Sequence, residues 1–160
     1  IKTNENLTAG GTITTSSAAT QSAMDGDIYM ETGATLSMST NALSIGGDFT
    51  TAGTVNFSVG TGQTTTFTGT TTGFSVEAED AFNNITFNGS GGEWTFDAGA
   101  TINLTMTVTA GEIILGGTTT VTNDVIINGG TLDVSGSNHA LTLKGSWDID
   151  SGNFQSQAGL

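Results

Sequence analysis

The sequence contains no cysteine, no proline and no arginine. Without cysteine, the chain can form neither a disulfide framework nor a thiolate metal or redox site. No apolar run approaches the length of about 18 residues that a transmembrane helix requires, so we expect no membrane-spanning helix. The chain begins at Ile1 without a basic segment followed by an apolar one, so we expect a processed product or a portion of a longer protein.

Positive charge is also scarce. Lys2 and Lys144 stand against 15 acidic residues, and the formal net charge at pH 7 is −13. A chain of this charge repels phosphate backbones and anionic lipid headgroups. We therefore predict that it neither binds nucleic acid nor inserts into a membrane, and we interpret its acidity first as a source of solubility.

Glycine and threonine are abundant, and they recur in a repeating pattern. The repeats, 19 to 23 residues long, start at Gly11, Ala34, Gly53, Thr72, Gly92, Gly111, Gly130 and Gly152. Two positions after each start lies an apolar residue: Ile13, Leu36, Val55, Phe74, Trp94, Ile113, Leu132 and Phe154. Four positions after each start lie Thr15, Met38, Phe57, Val76, Phe96, Leu115, Val134 and Ser156. This second column is polar only in the first and last copies, and atypical terminal repeats are expected in a stacked array.

Within each repeat, apolar and polar residues alternate with period two between clusters of turn residues, which is typical of short strands. Equivalent strands of successive repeats are expected to pair in parallel. We therefore predict an all-β fold, a right-handed parallel β-solenoid that forms a single domain over residues 1–160. Its coils hold about 19–20 residues, with seven full coils from Gly11 to Ser151 and a partial coil at each end. A β-sandwich is disfavoured because its strands need not repeat in sequence.

The repeat resembles those of bacterial cell-surface β-solenoids. Units of the form Gly-x-apolar-x-apolar, such as GEWTF, GEIIL and GTLDV, are similar to those of strand-repeat proteins, filamentous-haemagglutinin-like exoproteins and autotransporter passenger domains. The phrase FNNITFNGSGGEWTF, residues 82–96, is similar to phrases of long bacterial surface proteins. The resemblance implies an extracellular or cell-surface structural or adhesive protein, and it identifies no site.

Candidate catalytic groups are few, and we predict that the protein is not an enzyme. Carboxylates that could act as a general acid and base are paired in Asp25-Gly-Asp27, in Asp148-Ile-Asp150 and around Glu77. A polysaccharide-active enzyme therefore stays a distant alternative. Acidic residues that alternate along a strand are, however, also expected on a solvent-exposed strand edge. A nucleophilic triad would depend on the single histidine, His139, for which an exposed loop position is expected.

Calcium is the only cofactor that the residue types suggest. Glu77, Glu79 and Asp80 form the densest acidic cluster and are candidate ligands, although no Asp-x-Asp-x-Asp-Gly loop is present. A simple acidic turn accounts for them as well. Glu93 and Glu112 occupy the same offset in adjacent coils, so the stacking is expected to place them about 4.8 Å apart.

Ice binding and sugar binding are two further functions that the repeat positions can test. An ice-binding surface would present a threonine ladder, but the outward column three positions after each start is mixed: Thr14, Ser37, Asn56, Ser75, Thr95, Ile114, Asp133 and Gln155. Trp94 and Trp147 could stack on sugars, but both fall at inward positions, so we predict that they pack in the core.

The two terminal fragments suggest self-assembly. Residues 1–10 and 152–160 together have the length of one coil, and no helix or proline is available to cap either end. We predict a filament built by head-to-tail stacking, with Ile1, Leu7, Phe154 and Leu160 in the interface. A segment of a bacterial surface adhesin is the alternative.

Overall fold

The structure is a computed structural model that describes residues 2–3, 7–9, 12–14, 21–24, 26–52, 54, 56–77, 82–136 and 139–156. In these ranges the chain is all-β without a helix, and its parallel strands stack as a β-solenoid of about six turns. The predicted fold class is confirmed. In the first of the seven predicted coils, which starts at Gly11, residues 11, 15–20 and 25 lie outside the described residues, and the right-handed sense stays a prediction.

The strands lie on three faces, each visited once per turn. Face A contains β1 (Lys2–Thr3), β4 (Gln21–Met24), β7 (Ala42–Ile45), β10 (Thr64–Phe67), the first parts of β12 (Asn84–Phe96) and β14 (Met106–Leu115), β16 (Val125–Ile127) and β19 (Trp147–Ile149). Face B contains β2 (Leu7–Ala9), β5 (Ile28–Met30), β8 (Phe49–Thr51), β11 (Phe74–Val76), the second parts of β12 and β14, β17 (Thr131–Asp133) and β20 (Asn153–Gln155). Because β12 and β14 run around the corner between them, faces A and B form one continuous sheet.

Face C is built from two shorter sheets. One contains β3 (Thr12–Thr14), β6 (Thr35–Ser39) and β9 (Asn56–Val59), and the other contains β13 (Thr101–Ile102), β15 (Thr119–Val121) and β18 (Leu141–Leu143). An isolated parallel bridge between Phe82 and Ile102 adds one more layer to the second sheet.

The turns differ in length more than the repeat frame predicted. On face B, Ile113 pairs with Leu132, 19 residues later, whereas Phe49 pairs with Val76, 27 residues later. The long turn moves the repeat frame from one face to another. Leu36 therefore pairs on face C with Phe57, not with Val55, which lies outside the described residues. Phe74 pairs with Trp94 on face B, so the predicted first column combines residues of two faces.

Aromatic and aliphatic side chains fill the inside of the solenoid. Phe67 and Phe87 stack with ring centroids 5.3 Å apart, and Phe87 lies 5.3 Å from the ring of Trp94. All three side chains are fully buried, and burial of each stabilises the fold by about 1.5–3 kcal/mol. Trp94 is therefore a core residue, as predicted, although in the described part of the chain its indole N–H has no hydrogen-bond acceptor.

Polar side chains satisfy backbone groups at the corners between faces. The Asp48 N–H donates to Asp27 Oδ1 at 2.9 Å, and the Ser75 N–H donates to Asp48 Oδ1 at 2.7 Å. At another corner the Ser146 N–H donates to Asp124 Oδ1 at 2.8 Å. Each bond joins consecutive turns, so these carboxylates serve as structural acceptors and connect the coils where the strand ladder is interrupted.

Candidate assembly surface

Among the described residues, the last strand on each face of the solenoid presents an unpaired edge at the C-terminal end. In the described residues, β18 pairs only with β15, β19 only with β16 and β20 only with β17. The opposite edge of each strand therefore leaves backbone donors and acceptors without a strand partner. An exposed parallel edge of this kind is a template for pairing with another strand.

Apolar side chains cover this end. Trp147 is 39% exposed and Ile149 is 43% exposed, whereas Val125 and Ile127, the residues that pair with them one turn earlier, are 0% exposed. Both residues thus continue inward columns, as predicted for Trp147, but the prediction that Trp147 packs in the core is wrong because its side chain is exposed. It is exposed because no further turn covers it among the described residues.

Phe154 completes an aromatic pair at the same end. Its ring lies edge-on to Trp147 with a centroid distance of 4.8 Å, and it continues the column of the buried Leu132. Together with the half-buried Leu141 and Leu143 of β18, these side chains form what we call the apolar end: Leu141, Leu143, Trp147, Ile149 and Phe154. Of the predicted interface residues, Phe154 belongs to it.

The N-terminal end has matching strands. As far as the chain is described, β1, β2 and β3 each pair only with a strand of the next turn, and Leu7, another predicted interface residue, pairs in β2 with Ile28. Ile1 and Leu160 lie outside the described residues. Because β2 and β20 both lie on face B, residues 1–10 and 152–160 do not combine into one coil. They would instead stack as successive coils.

Two acidic residues pair on the outer side of face B. Glu93 pairs with Glu112 in the next turn, which confirms the neighbourhood predicted from their offsets. Partial burial of the Glu112 carboxyl raises its pKa, and the negative charges of Asp133 and Glu93 raise it further. This pair concentrates like charge, and no group of three or more potential metal ligands occurs among the described residues.

The predicted calcium ligands are only partly described. Glu77 accepts a hydrogen bond from the Thr51 N–H through Oε2, so one of its oxygens already joins two turns. Glu79 and Asp80 lie outside the described residues, and the calcium site stays a prediction.

The residues weighed as catalytic are dispersed. Asp25 lies outside the described residues, and Asp27 accepts the Asp48 N–H. Asp148 and Asp150 are exposed beside the apolar end, and His139 is half-buried where an exposed position was expected.

A threonine ladder does occur, on a face that the repeat frame did not test. Thr66, Thr86 and Thr107 pair across three successive turns on face A and are half-buried. The tested outward column lies on face B from Ser75 onward, where it is mixed. Counting along all three faces would have revealed the ladder, whose β-branched side chains stabilise adjacent strands through cross-strand packing.

In the described part of the chain there is no helix with the length and apolarity needed to cross a membrane. Comparisons with protein-family models, with curated protein sequences and with solved structures gave no match. The structure itself is consistent with a strand-repeat protein, a β-solenoid built from stacked parallel strands.

Proposed function

We propose that this chain is a non-enzymatic extracellular structural protein, the subunit of a filament that grows by head-to-tail stacking of solenoid ends. The observation that carries the proposal is the apolar end, where inward columns continue into exposed Trp147 and Ile149 beside three unpaired strand edges. The extracellular location follows from the resemblance of the repeat units to bacterial surface β-solenoids.

Stacking would remove two unfavourable features at once. The backbone groups of β18, β19 and β20 would pair with strands of a second copy, and the apolar end would be buried. Burial of one large apolar side chain contributes about 1.5–3 kcal/mol. The N-terminal strands β1 and β2 lie on the same faces as β19 and β20, so a second copy can continue both faces without rotation.

The geometry of this contact determines the form of the assembly. One end of the subunit would bind the opposite end of the next, which is a heterologous interface that does not close on itself and generates a filament. Face A contains eight described strand layers, from β1 to β19. At about 4.8 Å for each layer, the axial repeat is about 38 Å.

Net charge opposes assembly. Each added subunit brings a formal charge of −13, so its repulsion must be screened. Because the Debye length falls from about 10 Å at 0.1 M salt to about 3 Å at 1 M, we expect salt or divalent cations to promote filament growth.

The test compares two aromatic residues with the same exposure. Trp147, at the apolar end, and Tyr29, on the lateral surface, are both 39% exposed. Trp147→Asp is expected to abolish filaments in electron micrographs and to leave a folded monomer, whereas Tyr29→Asp is expected to assemble like the parent protein.

Three results would contradict the proposal. The first is a protein that stays monomeric at high concentration with magnesium or calcium. The second is loss of assembly in both variants. The third is hydrogen exchange in the monomer that shows β19 and β20 fully protected, because residues 157–160 or further chain would then cover the apolar end. Binding to a cell surface or glycan through a lateral face, without filaments, would favour an adhesin segment instead.

A further inference from the structure

We propose that an ion pair between Lys2 of one copy and Asp148 of the next sets the register and the rotation of the stack. The inference rests on the proposed head-to-tail assembly and adds the residues that align it.

The two residues stand at opposite ends of one column of paired positions on face A. From one turn to the next, the paired positions are Lys2, Ala23, Ser44, Thr66, Thr86, Thr107, Ile126 and Asp148. From Ser44 to Ile126 the side chains in this column are half-buried, and Asp148 is exposed. A second copy placed on β19 in the same register therefore puts its Lys2 position one strand spacing, about 4.8 Å, from Asp148.

Charge selects this arrangement among the possible rotations. The three edge strands at the C-terminal end read Leu-Thr-Leu in β18, Trp-Asp-Ile in β19 and Asn-Phe-Gln in β20, so only β19 carries a carboxylate. A copy rotated by one face would place Lys2 over β18 or β20, where it would lack an acidic partner in the edge strand. The matching orientation is the one that also continues face B from β20 into β2.

Charge also selects the register. A slip of one residue between two strands exchanges the inward and outward positions, so the Lys2 position would then continue the apolar column of Trp147 or Ile149. Burial of an unpaired ammonium group there is strongly unfavourable. The only other lysine, Lys144, follows β18 near the C-terminal end, and the sequence has no arginine.

The experiment is a charge swap on the full chain. Lys2→Asp and Asp148→Lys, each alone, place like charges at the contact and are expected to weaken association roughly five- to tenfold in about 0.15 M salt. The double variant restores opposite charges and is expected to assemble within about twofold of the parent. Asp97→Lys is the matched control for Asp148→Lys, since it makes the same charge change at an exposed position away from the apolar end.

A zero-length carbodiimide cross-link supplies a readout that does not depend on affinity. It joins an amine and a carboxylate that are in contact, so a mixture of isotopically light and heavy subunits is expected to yield a mixed peptide joining Lys2 to Asp148.

The outcomes separate the two proposals. Suppose that the parent protein forms filaments. If Lys2→Asp then assembles normally, or if the double variant associates as weakly as the single variants, the ion pair is overturned and the filament proposal stands. A parent protein that never assembles would overturn both. Circular dichroism of each variant distinguishes weak assembly from misfolding.

Discussion

Glu93 and Glu112 lie opposite each other in neighbouring turns of face B, with Asp133 near the second carboxyl. A like-charged pair in adjacent strands opposes folding, and its cost depends on pH. The pKa of Glu112 in the folded protein is raised above its ordinary value of 4.5, chiefly by desolvation and then by Asp133 and Glu93. The folded state therefore binds more protons between these two pKa values, and this contribution to stability decreases as the pH rises through the raised pKa.

Glu112→Gln is accordingly expected to increase the free energy of unfolding at pH 7 by a few tenths of a kcal/mol, since solvent screens a pair that is only partly buried. The gain is expected to disappear at pH 4, where the parent carboxyl is protonated in the folded protein. Urea unfolding at the two pH values measures it. Asp97→Asn, at an exposed turn position, is the control, and an equal gain in that variant would show that net charge alone is responsible.

Trp94 and Thr95 test the inward and outward assignment. Trp94→Ala is expected to cost about 3–5 kcal/mol because it empties a fully buried site, whereas Thr95→Ala, on the half-buried outer side, is expected to change stability by less than about 0.5 kcal/mol. Trp94→Phe is expected to cost much less than Trp94→Ala, since it keeps an aromatic ring and removes the unbonded indole N–H. Denaturant unfolding monitored by circular dichroism gives all three values, and similar losses for Trp94→Ala and Thr95→Ala would contradict the assignment.

Substitutions at Gly111 and Gly62 distinguish the cost of a steric clash from the cost of backbone strain. Both have positive φ, +81° and +78°. A Cβ at Gly111 would lie 2.6 Å from the carbonyl oxygens of Gly89 and Gly92, whereas a Cβ at Gly62 would meet nothing within 4 Å. Gly62→Ala is expected to cost about 1–2 kcal/mol from the left-handed backbone alone. Gly111→Ala is expected to cost about 1–3 kcal/mol more because the adjacent turn must move. Equal losses in thermal unfolding would show that the turns separate freely at this corner.

Hydrogen exchange is expected to vary along the solenoid axis. The amides of β12 and β14 lie between paired neighbours and beside buried side chains, so they are expected to exchange most slowly. The amides of β19 and β20 are expected to exchange fastest among the face A and face B strands from β7 onward, and filament formation is expected to slow them. Mass spectrometry before and after assembly measures both effects, and unchanged exchange in β19 would place the subunit contact elsewhere.

Several features of the fold could be derived from residue types and spacing. Alternation with period two separates inside from outside, because successive strand residues point to opposite sides of a sheet. This is why Trp94, Ile113 and Leu132 were correctly predicted to be buried. Where adjacent turns have equal length, the repeat frame also predicts neighbours, as it did for Glu93 and Glu112.

The sequence alone thus determined that the chain forms a solenoid and which side chains point inward, but only the tertiary structure decided which face each strand occupies. Alternation is the same on all three faces, so it does not distinguish Leu36 on face C from Phe74 on face B. The 27-residue turn between Phe49 and Val76 shifts the repeat frame from one face to another without changing the alternation. Hydrogen-bonded register resolves this ambiguity, since each strand between the two ends pairs with the equivalent strand of the turn before it and of the turn after it. The exposure of Trp147 likewise depends on whether another turn stacks on β19. The residue type and its place in the repeat do not reveal this.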